Sequence, residues 1–274
     1  MNHRTKVWLA GAGLILAAIA IWARDLRWLP TASDALPLAL GLPMAFFLGQ
    51  PWLVENPQPC KKRRNLAVIG AIAFVIGWVT GSLTVLSLAW TAVCVAWASW
   101  GFTSKPRRGR LAWLLLLSFP WLVIEWPQIG WAFRFSSAYL AEGFFGLLAL
   151  PVEREGTHLN VMGVPVEIEA ACAGWNLLQL TLLAGVALGA HEIKNAGRFY
   201  GFLAFLPVLA WIANLVRILV LTGIALSFDV DTAAGAIHGL MGLIVLIVVL
   251  SLTKMICSLL NPSRQMTKRV VTTS

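Results

Sequence analysis

Three side chains have the types that nucleophilic chemistry needs, each near one end of a long apolar run: the Cys172 thiol in "AACAGWNLL", the Arg217 guanidinium in "NLVRI" and the His238 imidazole in "HGLMG". A thiol attacks as thiolate, and a helix N-terminus or a neighbouring cation lowers its pKa. Cys172 has both available. His238 can take the thiol proton and return it to a leaving amine. Arg217, permanently charged and fork-shaped, can stabilise either the thiolate or the oxyanion of a tetrahedral intermediate. Asn214 stands three residues before Arg217, hence on its face of a helix, where its amide can orient the guanidinium or assist the oxyanion. The chemistry is acyl transfer through a thioester.

Whether the three meet depends on depth. Cys172 lies 19 residues before His191, and Arg217 lies 19 residues after Arg198. At helical rise each stands about 28 Å above those polar boundaries. His238 lies 16 residues before Lys254, about 24 Å on the same ruler. Each residue also has a structural reading. Cysteine is among the most buried residue types, which is how we read Cys94 and Cys257. His238 fits a helix start, and Arg217 fits an arginine snorkelling to an interface. Arginine at the centre of a span costs about 2.5–3.5 kcal/mol, however, and an intramembrane cation is a functional candidate by default. The common depth favours one shared site.

The elements that carry these residues follow from composition. Hydrophobic residues make up 59% of the 274-residue chain and charged ones 12%, with a mean hydropathy of +0.78. Such a chain lives in a bilayer. A span needs roughly 20 apolar residues, and eight such runs are visible: Val7–Ala23, Ala35–Leu53, Leu66–Thr80, Leu83–Gly101, Leu111–Trp126, Ala173–Ala190, Phe199–Leu226 and Ala236–Ser258. Unpaired backbone groups are intolerable in hydrocarbon, so the runs must be helices. The predicted fold class is all-α, a polytopic membrane protein of about eight transmembrane helices. The first run is read as a retained anchor rather than a cleaved signal.

The net charge of +9 reports topology rather than nucleic-acid binding, because the cations are not gathered on one soluble surface. With the N-terminus inside, 16 of the 21 Lys and Arg fall in inner segments, including Lys61 to Arg64 and Lys105 to Arg110. The positive-inside rule then makes both termini cytoplasmic. The chain reads as a single membrane domain, 1–274, with a cytoplasmic tail at 261–274.

Residues 127–171 form the largest part outside the spans, on the outer side by this orientation. Its first half, apolar but carrying Arg134, Ser136, Ser137 and Glu142, is expected to be an interfacial helix. Its second half, "HLNVMGVPVEIEA", alternates after Gly163 and reads as one arm of a short β-hairpin turning at Met162–Gly163. Glu167 and Glu169 face away from Val164, Val166 and Ile168, as a solvated face does, and Asp229 and Asp231 suit caps for the last helix. This outer-face cap hands the chain directly to Cys172. The four cysteines, at 60, 94, 172 and 257, show neither a disulfide framework nor metal spacing, and no cofactor is expected.

The ordered set "AACAGWNLL", "NLVRI" and "HGLMG" on the last three helices resembles the exosortase/archaeosortase family of bacterial and archaeal membrane enzymes. The motif-bearing part runs from about Gly143 to Gly242. The resemblance implies that Cys172 is the nucleophile, Arg217 the essential arginine and His238 the third member. Ala173 stands where many members have Ser, and Trp175 where a smaller aliphatic residue is common. A cysteine protease or transpeptidase at the outer face of the inner membrane is then expected, acting on C-terminal sorting signals such as the PEP-CTERM type. Its partners would be exported proteins bearing that signal and a membrane anchor, membrane lipid, and an amine-bearing acceptor. The alternative from another class is a non-enzymatic assembly or transport component of an exopolysaccharide system, with Arg217 and His238 binding an anionic lipid headgroup.

Overall fold

The structure, a computed structural model of the chain, describes residues 1–26, 32–54, 60–102, 106–168, 175–228 and 236–261. It falls into two compact units, Met1–Glu125 and Trp126–Ser274. The second begins where the sequence marks the cap segment.

The first unit holds α1 (His3–Arg24), α2 (Ala32–Leu48), α3 (Lys61–Thr80), α4 (Leu83–Gly101), α5 (Pro106–Leu117) and α6 (Trp121–Glu125). Asn2 caps α1 by accepting from the Thr5 amide at 2.8 Å. Gly81 turns α3 into α4 in the left-handed conformation, φ 77°, which only glycine adopts without steric cost. The Glu125 carboxylate collects the exposed start of α4, accepting from the Leu83 amide, from the Thr84 amide at 2.8 Å and from the Ser82 hydroxyl at 3.2 Å. A carboxylate at a helix N-terminus satisfies orphan donors and opposes the helix dipole. Two indoles tie α4 to α1: Trp90 donates to the Leu14 carbonyl at 2.8 Å and Trp97 to the Val7 carbonyl at 2.9 Å.

The second unit holds α7 (Pro127–Leu147), the strands β1 (Val152–Glu155), β2 (His158–Val161) and β3 (Val164–Glu167), then α8 (Trp175–Glu192), α9 (Ala196–Phe228) and α10 (Ala236–Leu259). The strands form one antiparallel sheet in the order β1-β2-β3. The turn at Met162–Gly163 is where the sequence puts it, and both residues take positive φ, 55° and 85°, as a two-residue hairpin loop requires. The expected hairpin is enlarged, however. A second turn at Gly156, φ 63°, adds β1, which the charged run Glu153, Arg154 and Glu155 conceals in the sequence. Arg154 is held to α7 by a 2.6 Å ion pair with Glu142 and lies 5.1 Å over the Phe135 ring. Leu159, Val161 and Ile168 of the sheet segment join Ala138, Ala141 and Phe145 of α7 and Ile218 of α9 in one buried cluster. Lower on α9, Trp211 donates to the Ser136 hydroxyl of α7 at 3.0 Å.

The architecture is the predicted all-α membrane protein with a small cap. Among the described residues five helices are long and apolar enough to cross a membrane: His3–Arg24, Lys61–Thr80, Leu83–Gly101, Ala196–Ser227 and Gly239–Leu259. The runs predicted at 35–53 and 173–190 correspond to α2 (Ala32–Leu48) and α8 (Trp175–Glu192). The run at 111–126 is not one helix, since α5 ends at Leu117 and α6 begins at Trp121. Pro120 breaks it, having no N–H to give the carbonyl four residues back. That carbonyl, of Leu116, accepts from the Trp121 indole at 3.0 Å instead.

Close approach of α8 to α9 depends on Gly185. A Cβ there would lie 2.1 Å from Leu206 Cδ1, and Leu206 is fully buried with no room to turn away. Gly185→Val is expected to cost about 1–3 kcal/mol by overpacking, seen as a lower thermal midpoint in detergent. Gly223→Ala, where nothing lies within 4 Å, should be neutral or stabilise the helix by about 0.5–1 kcal/mol.

Candidate active site

Asn214 and Arg217 lie on α9 and position 238 on α10, and their relation begins with how the far ends of α8, α9 and α10 are aligned. Lys254 of α10 donates to the buried carboxylate of Glu192, the last residue of α8. The Ser258 hydroxyl reaches the other carboxylate oxygen at 3.5 Å. Asn195 caps α9 by accepting from the Arg198 amide at 3.0 Å, and the Arg198 guanidinium reaches the Leu260 carbonyl at 3.5 Å. One polar knot thus gathers one end of all three helices. A lone buried carboxylate would be expensive, so Glu192 requires its ammonium partner.

From that knot α8 and α9 run antiparallel. Cβ atoms built on Gly185 and Gly189 meet Leu206 at 2.1 Å and Phe199 at 3.2 Å respectively. Stepping these pairings outward at equal rise brings Trp175, the first residue of α8, level with the stretch from Ala213 to Val216, just short of Arg217. Asn214 is fully buried, and Arg217 is half-buried. The Arg217 guanidinium lies against α10: a Cβ on Gly242 would be 3.5 Å from Nη2 and 3.7 Å from Cζ. Gly242 and position 238 are four residues apart, on one face of α10. The "NLVRI" and "HGLMG" segments therefore face each other.

The Gly242 contact refines the sequence ruler. Counting from Lys254 put His238 slightly nearer the shared boundary than Arg217. Arg198 in fact reaches Leu260, six residues beyond Lys254 and just past the end of α10, and position 238, four residues from Gly242, sits one helical turn, about 6 Å, beyond the level of the guanidinium contact. Cys172 lies outside the described residues, as do the His238 side chain, Glu169, Asp229 and Asp231. Among the other cysteines, Cys94 and Cys257 are buried, as the sequence predicts, and Cys60 is exposed.

The cap meets the bundle at this level. Ile218, next to Arg217, shares its buried cluster with Ile168, which precedes Cys172 by four residues. Two buried polar residues of α8 escape sequence reasoning. Gln179 of α8 is 1% exposed and Glu192 is 7% exposed. A single amide inside the apolar run "LLQLTLL" signals the first, whereas the Glu192–Lys254 pair spans 62 residues and has no local signature.

The family model of the transmembrane exosortases matches residues 8–255, a stretch that contains Cys172, Asn214, Arg217 and His238. No curated relative and no solved structure matches the chain.

Proposed function

The chain belongs to the transmembrane exosortase family, and on that premise we propose that it is a membrane-embedded cysteine protease or transpeptidase acting on exported proteins. Its substrates carry a C-terminal sorting signal, of the PEP-CTERM type or similar, followed by a membrane anchor. The reaction takes place at the outer face of the inner membrane, with both termini of the enzyme in the cytoplasm.

In this reading the Cys172 thiolate attacks the scissile carbonyl, forming the C–S bond as the carbonyl electrons move onto oxygen. Arg217, oriented by Asn214, meets that oxyanion. The tetrahedral intermediate collapses by breaking the C–N bond, and His238, which took the thiol proton, returns it to the departing amine of the anchor. A thioester remains. Water, or an amine-bearing acceptor, attacks it and regenerates the thiol.

The observation that carries this reading is the shared cluster of Ile168 and Ile218. Cys172 follows Ile168 by four residues of sequence, and four residues of chain reach at most about 14 Å. On the other side it precedes Trp175 by three residues. The arginine and the face of α10 that bears position 238 meet at Gly242.

Capture of the intermediate tests the thioester directly. Co-expression with an exported protein bearing such a signal, followed by hydroxylamine, is expected to yield a C-terminal hydroxamate in place of the normal product. Cleavage at the same bond with no hydroxamate from wild type, in membranes permeable to the reagent, would contradict an acyl-enzyme.

A further inference from the structure

A second site lies in the first unit, where α1, α3 and α4 enclose a trough of about 810 Å³. Its rim is basic: Lys61, Arg63 and Arg64, from the first turn of α3. Its body is apolar, lined by Ala67 of α3 and Val93, Ala96 and Trp97 of α4. The walls are fixed. Trp97 is pinned by its hydrogen bond to the Val7 carbonyl, and a Cβ on Gly11 would stand only 2.7 Å from its ring. Val93 packs on Gly70, where a Cβ would stand 2.8 Å from Cγ2. Arg63 bridges to the Ser99 carbonyl of α4 at 3.4 Å, closing the basic end across the two helices.

Lys61, Lys62, Arg63 and Arg64 crowd a helix N-terminus with no acidic residue in the first turn, although that end of the dipole attracts anions and repels cations. A cationic rim above an apolar slot complements a molecule with an anionic head and a hydrocarbon tail. We propose that the trough holds an anionic glycerophospholipid of the surrounding leaflet, its phosphate against Lys61 and Arg64 and one acyl chain along Ala67, Val93, Ala96 and Trp97. The volume falls within the usual range for ligand sites, about 300–1,000 Å³. By charge asymmetry this is the cytoplasmic leaflet, where basic clusters at helix ends recognise acidic lipids. The site shares no residue with the thiol chemistry, so either can fail without the other.

The test uses the full chain purified in detergent, read by native mass spectrometry and by thermal midpoint. Dioleoyl phosphatidylglycerol is expected to bind at least tenfold more tightly than dioleoyl phosphatidylcholine and to raise the midpoint. K61Q/R64Q, two exposed changes, should weaken phosphatidylglycerol about 30-fold, the equivalent of two cations near a membrane surface. Ala67→Trp, which fills the slot and keeps the cations, should weaken it as well, and both variants should keep the wild-type midpoint without lipid. Equal binding of phosphatidylcholine would overturn the proposal. So would equal stabilisation by soluble glycerol 3-phosphate, which would make this a free-phosphate site, or undiminished phosphatidylglycerol binding by K61Q/R64Q.

Discussion

Cys172→Ala is expected to reduce processing of a co-expressed, signal-bearing substrate to background, a fall of at least about 10³-fold. The magnitude follows from what the thiol contributes. Without it there is no covalent intermediate, and a residual oxyanion site offers only its own stabilisation to a direct attack by water. Cys172→Ser should be nearly as inactive, because a hydroxyl ionises far less readily than a thiol and lacks a thiolate's nucleophilicity. The readout is the ratio of processed to anchored substrate on a gel, with enzyme levels matched. The non-enzymatic reading of the chain makes the opposite forecast, since a lipid-binding arginine and histidine do not need the thiol.

Arg217→Ala is expected to cost about 10²–10³ in the processing rate, the usual loss when one donor to a developing oxyanion is removed. The guanidinium sits against Gly242 on the neighbouring helix and next to Ile218, which is packed in the cluster under the cap. Its position is therefore set by two elements besides its own. Arg217→Lys should recover only part of the loss, since an ammonium keeps the charge but cannot present a fixed fork. A merely structural arginine would show itself differently. Both variants would then lower the thermal midpoint in proportion to activity, whereas an oxyanion role lowers activity at an unchanged midpoint. His238→Ala belongs to the same series, with a loss of about 10²–10⁴ expected for a general acid–base group.

The membrane-length helices were legible because apolar runs of span length admit few other structures. The turn at Met162–Gly163 was legible because period-two alternation resumes directly after it. Where tertiary geometry decides, legibility ends. The break at Pro120 depends on the Trp121 indole meeting the freed Leu116 carbonyl, a contact no hydropathy window reports. Strand β1 was hidden because Glu153, Arg154 and Glu155 look like a solvated loop, and the partner of Arg154, Glu142, lies on helix α7.

For the site, that Arg217 and position 238 lie within about a helical turn of each other in depth was legible from residue spacing along the helices, since equal rise fixes depth. The exact level was not. It depends on Arg198 reaching Leu260 rather than Lys254, which shifts α10 by more than a turn. The Glu192–Lys254 pair and Gln179 were invisible for a related reason: their roles arise from helix alignment, and no periodicity encodes which turn of one helix meets which turn of another.

The most direct test of a shared outward-facing site is the pH profile of Cys172 labelling by a membrane-impermeant thiol reagent in intact cells, compared among wild type, Arg217→Ala and His238→Ala. Cys172 should react from outside with an apparent pKa below the ordinary thiol value of about 8.5, and that value should rise in both variants. A Cys172 that is inert at every pH, or whose reactivity ignores Arg217 and His238, would contradict the shared site.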